Sequence, residues 1–164
     1  MLEPQSRSID LPGVELSANL RLPARTQALV IFVHGSGSGR TSPRNQYVAD
    51  VLARRGLGSL LFDLLTESEQ RMDNLTGELR FDIPLLARRL IQVIDWVGRD
   101  PGLRVLRIGL FGASTGAAPA AATLRGGCPW WNSGASHMNQ ALPKKRWDRL
   151  GLVSILDTIN GLSA

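Results

Sequence analysis

Six consecutive apolar residues, Ala28-Leu29-Val30-Ile31-Phe32-Val33, set the strongest constraint on how this chain can fold. A strand with no polar face must be covered on both sides, as in a parallel sheet packed between helices. The residues downstream supply the covering. Residues 45–55 read as a helix, with Val48, Val51 and Leu52 on one face and Gly56 as its stop. Residues 58–62 read as a further strand, ending at Asp63. Ile83, Leu86, Leu90, Val93, Ile94 and Val97 then recur at helical spacing. Asp82 is placed to cap that helix, and Pro84 falls in its tolerant first turn. Upstream, residues 14–22 alternate apolar and polar between the turn signals Pro12-Gly13 and Pro23, the pattern of a strand with one solvated face. The polar stretch 66–76 is expected to be a long surface loop. Two antiparallel-type strands followed by alternating strands and helices predict a three-layer α/β sandwich with a mostly parallel sheet.

Composition narrows the class. At 164 residues, with 43% hydrophobic and 20% charged side chains, the chain is expected to form one soluble domain with a real core. The net charge is +5, but no basic cluster precedes residue 144, so no nucleic-acid footprint is evident and Lys144-Lys145-Arg146 reads as a solvated charge run. The single cysteine, Cys128, excludes an internal disulfide and fits a reducing compartment. The first residues are polar, with no signal-peptide core. The longest apolar run, 28–33, is far short of the roughly 20 residues that span a bilayer. A cytoplasmic protein without a membrane partner is expected. The character changes after Gly127: residues 1–127 hold fifteen Arg and no Lys, whereas both lysines, three of four Trp and the cysteine fall in the last 37. Residues 1–127 are therefore read as the core, and 128–164 as a divergent tail, with a natural tail, an early stop and a shifted reading frame as the open alternatives.

The chemistry-bearing stretch is Gly112-Ala113-Ser114-Thr115-Gly116, entered by the apolar run Ile108-Gly109-Leu110-Phe111 and left by a run of Ala. Strand, glycine-bracketed serine and small helix formers make the layout of a nucleophile elbow. The flanking positions of so sharp a turn must be nearly free of side chain. Two βα units earlier, the first long strand runs into a second glycine-rich loop, His34-Gly35-Ser36-Gly37. With these two motifs in this order, residues 14–127 resemble the α/β-hydrolase superfamily, and within it the small dienelactone-hydrolase-like members. The resemblance implies a partial α/β-hydrolase fold and a serine hydrolase acting on a small carboxylic ester or lactone, without metal or organic cofactor. It makes Ser114 the nucleophile and the backbone N–H groups of Thr115 and Ser36 the oxyanion hole, each such donor being worth roughly 10²–10³ in rate. It also places substrate against His34, Gly35 and Gly37, and against Asp63 at the strand end.

The same resemblance requires an acid and a histidine after the serine, in the order Ser…Asp…His. Here it departs from the chain. His137 is the one later histidine; in its Ser/Asn/Gly-rich segment it reads as a solvated tail residue, with a substitute base as the alternative, and Asp148 and Asp157 read as surface acids. A serine without its base is a poor nucleophile. The alternative is a non-catalytic hydrolase scaffold, or a fragment that needs a partner to complete its sheet. A dinucleotide-binding protein is a third reading, from Gly35-x-Gly37-x-Gly39 and Asp63. The fingerprint Gly-x-Gly-x-x-Gly fails, because its third glycine falls on Arg40 or Ser42.

Overall fold

The computed structural model describes residues 2–112 and 114–124. The tail 128–164, with Cys128, His137, Asp148 and Asp157, lies outside the described residues. In chain order the elements are β1 (Gln5–Leu11), β2 (Val14–Arg21), β3 (Ala28–Val33), α1 (Pro43–Arg54), β4 (Gly58–Phe62), α2 (Glu67–Thr76), α3 (Ile83–Arg99), β5 (Arg107–Gly112) and α4 (Ala117–Leu124). Single 3-10 turns occupy Leu79–Phe81 and Ser114–Gly116. The five strands form one mixed sheet in the order β1-β2-β4-β3-β5. β1, β2 and β4 pair antiparallel, and β3 runs parallel to both β4 and β5.

The apolar run 28–33 is the inner strand that its composition demands. Ile31 is flanked by Leu60 on β4 and Leu110 on β5. Successive side chains point to opposite faces. Leu29, Ile31 and Val33 enter the larger core with Leu86, Leu90, Val93, Ile94 and Val97 of α3. Val30 and Phe32 enter a smaller core with Ala49 and Leu52 of α1, and the Phe32 and Phe111 rings meet there with centroids 4.9 Å apart. Helices thus cover both faces. Among the described residues, no helix is long and apolar enough to cross a membrane.

The cap expected at Asp82 is formed: its Oδ1 accepts the Leu85 N–H at 2.9 Å. The surface loop expected at 66–76 is instead α2. Asp73 is its one buried residue, so it has no apolar stripe from which a helical period can be read. A capping box holds its start: Thr66 Oγ1 accepts the Glu69 N–H at 3.2 Å, and Glu69 Oε2 accepts the Thr66 N–H at 2.8 Å. Gly77, at φ 70°, closes it in the left-handed conformation. The register then sets the functional end of the sheet. Val33 pairs with Gly112, so the loop leaving β3 and the turn leaving β5 begin side by side.

Candidate active site

The loop 34–40 is fastened at both ends. His34 Nε2 accepts the Leu64 N–H at 3.0 Å, which leaves the ring proton on Nδ1, 3.0 Å from the Gly35 carbonyl oxygen. Both ring nitrogens are thus committed to backbone, and His34 has no free lone pair with which to act as a base. Asp63 Oδ1 accepts the Arg40 N–H at 2.8 Å, and its Oδ2 pairs with Arg40 Nη1 at 2.5 Å. A Cβ on Gly39 would stand 2.9 Å from Asp63 Oδ1, so glycine lets the loop close on the carboxylate. Gly37, at φ 72°, makes the left-handed bend between these anchors.

The second element is the turn from β5 into α4, which Ser114 opens. Its bracketing glycines have separate steric reasons. A Cβ on Gly112 would lie 2.8 Å from the Gly116 carbonyl oxygen and 3.0 Å from Ala117 Cα. A Cβ on Gly116 would collide with the Val33 carbonyl oxygen and stand 2.6 Å from that of His34. The second glycine therefore lets the elbow press against the root of the first loop. The two join directly: the Ser36 N–H donates to Thr115 Oγ1 at 2.6 Å.

An open cleft lies at this junction. Residues 34–38 and Thr115 line it together with the apolar Leu64, Leu65 and Leu86 and the polar Gln70, Asp73 and Arg80. Of the residues expected from sequence, His34, Gly35, Ser36, Gly37 and Thr115 thus meet at one cleft. Asp63 holds the loop through Arg40. His137 lies outside the described residues.

The polar part of the lining was not legible in the sequence. Asp73 is 1% exposed and accepts from the Arg80 N–H at 3.0 Å and from Arg80 Nε at 2.7 Å. Burial raises its carboxyl, but the Arg80 amide and guanidinium outweigh that and hold it below the usual carboxylate range. Behind it, buried Arg89 of α3 donates to the Leu64 carbonyl at 2.9 Å and grips Glu69 through two bonds of 2.8 and 2.6 Å. Hydrogen bonding from Arg89 dominates the Glu69 carboxyl and, against its partial burial, lowers it to about 2. The readable signals were Thr66-x-x-Glu69 and a lone arginine on the apolar stripe of α3. Among the described residues, no three His, Cys, Asp or Glu side chains group to hold a metal ion.

No family model matches the chain. Among solved structures, it resembles a dienelactone hydrolase from Anabaena variabilis, with 47% identity and a TM-score of 0.72, over 74% of this chain and 57% of that one. The chain has a dienelactone-hydrolase-like α/β-hydrolase fold. An α/β serine hydrolase homologue from Coxiella burnetii shares this fold at 18% identity, with a TM-score of 0.58, over 76% of this chain and 59% of that one. An esterase of Pyrococcus furiosus shares it at 22% identity, with a TM-score of 0.57, over 75% and 46%. A Mycobacterium tuberculosis protein provisionally named a phosphoribosyl transferase is 49% identical over 107 residues, 65% of this chain and 23% of its own length. The chain thus spans under a quarter of that curated relative and little more than half of the dienelactone hydrolase. Within an α/β-hydrolase fold, the ends of β3 and β5 are where the two motifs described above converge.

Proposed function

We propose that the chain carries the acyl-binding half of a serine hydrolase acting on a small carboxylic ester or lactone. The observation that carries the reading is the convergence of two glycine-rich turns at one cleft, joined at Ser36 and Thr115. Ser114 is the nucleophile: its Oγ attacks the acyl carbonyl, and its proton passes to a base. The N–H groups of Thr115 and Ser36 receive the oxyanion as it forms, which needs donors already oriented at the moment of reaction. The alcohol leaves, and water releases the acid from acyl-Ser114. Leu64, Leu65 and Leu86 give the cleft an apolar lining suited to an acyl chain. His34 has both nitrogens engaged, and His137, outside the described residues, is offered as a substitute base. The similarity to a dienelactone hydrolase supports this reading. The transferase name belongs to a relative of which this chain matches 23%, so the cleft is the better guide.

Turnover of p-nitrophenyl acetate by the full chain tests the proposal. Activity should fall to the buffer rate in Ser114→Ala and drop by orders of magnitude in His137→Ala. Equal rates in wild type and Ser114→Ala would instead leave a non-catalytic scaffold.

A further inference from the structure

We infer that the Thr115 hydroxyl caps the Ser36 amide in the free protein and withdraws when an acyl oxygen arrives, so that this side chain limits how readily Ser114 is acylated. The inference rests on the hydrolase reading of Ser114. An amide has one proton, and at 2.6 Å the Thr115 oxygen occupies the direction in which Ser36 can donate. With the cap in place, one of the two proposed oxyanion donors is taken. Losing such a donor costs about 10²–10³ in rate, so the cap must leave before the barrier is crossed.

The geometry says which partner moves. Ser36 lies in a loop held at His34 by Leu64 and at Arg40 by Asp63, so its amide is fixed. Thr115 needs one χ1 rotation. Threonine populates two χ1 wells in helical backbone, where valine keeps essentially one. Any residue but proline at position 115 would supply the backbone N–H, whereas the cap needs the hydroxyl. Ser36 is exposed, so its amide is not stranded when the cap opens. The competition is that of one ordinary hydrogen bond, equivalent to about a 3- to 10-fold factor.

Two readouts on the full chain test this. Hydrogen exchange of the Ser36 amide should quicken several-fold in Thr115→Val, which keeps the shape and removes the acceptor. A fluorophosphonate probe should phosphonylate Ser114 about 3- to 10-fold faster in Thr115→Val than in wild type. In that step Ser114 Oγ forms the P–O bond, fluoride leaves with the electron pair, and the hydroxyl proton passes to the base or to water. Thr115→Ser, which keeps the hydroxyl, should label more slowly than Thr115→Val, and Thr115→Ala gives the same two readouts should the valine variant not fold. Unchanged Ser36 exchange would remove the cap. Equal or slower labelling of Thr115→Val, with Ser114 labelled in wild type, would overturn the inference alone. Absence of Ser114 labelling in every variant would overturn the hydrolase reading and this inference with it.

Discussion

Single residues decide whether the two motifs meet. Gly112 and Gly116 face different obstacles, the turn's own backbone for the first and the root of the β3 loop for the second. Gly116→Ala is therefore expected to push the elbow off the loop and destabilise the fold by about 1–3 kcal/mol, the range for overpacking a tight site. Urea denaturation gives the stability, and loss of slow Ser36 amide exchange reports the separation; an unchanged exchange rate with unchanged stability would contradict it. His34 acts through its neighbours. Its Nε2 is the acceptor for the Leu64 amide. His34→Ala should cost about 1–3 kcal/mol where that amide is left unpaired. The motif His34-Gly35-Ser36-Gly37 is visible in the sequence, but the two backbone bonds that settle the tautomer are not, because Leu64 is thirty residues away.

At the scale of elements, α2 is the instructive case. It is held by its capping box and by the grip of Arg89 on Glu69, not by an apolar face. Glu69 sits at about 2 in the folded chain against an ordinary 4.5. A carboxyl lowered by folding contributes stability that is fully present above the unfolded value and lost as pH falls through the folded one. Stability should therefore decline as pH falls from 4.5 toward 2, by about 1–2 kcal/mol for this group once solvent screening of a partly exposed pair is allowed for. Asp73 is shifted in the same direction and adds to the same acid loss. Glu69→Gln should cost about 2–3 kcal/mol at neutral pH, less than a fully buried pair because the Glu69 side chain is 27% exposed. It should also flatten the acid limb of the urea midpoint against pH; an equally steep limb in the variant would count against this assignment. An unbroken apolar run revealed β3 and helical periodicity revealed α3, since each buries apolar side chains. Periodicity missed α2, whose anchors are polar and whose partner, Arg89, lies on another helix.

For the whole molecule, the sheet divides the core into two layers of unequal size. Leu90 is fully buried in the larger layer, against the sheet from α3, whereas Leu52 is 8% exposed in the smaller one under α1. Leu90→Ala is expected to destabilise by about 3–5 kcal/mol and Leu52→Ala by about 2–3 kcal/mol. Because the two side chains lie on opposite faces, the double variant should equal their sum to within about 0.5 kcal/mol in urea denaturation. A larger discrepancy would mean that the sheet transmits strain between its layers.

The α/β class, the helix-covered inner strand and the serine-bearing turn were determined by the sequence alone, because each is written in local pattern: apolar runs, helical spacing, and glycine at points where a side chain cannot fit. The order of strands was not. β4 follows β3 in the chain yet inserts between β2 and β3, and nothing local specifies that placement. The polar lining of the cleft, the tautomer of His34 and the bond from Ser36 to Thr115 were likewise decided by the tertiary structure. Each joins residues that meet only when separate elements pack, and a hydrogen bond across 79 positions leaves no periodic trace in the chain.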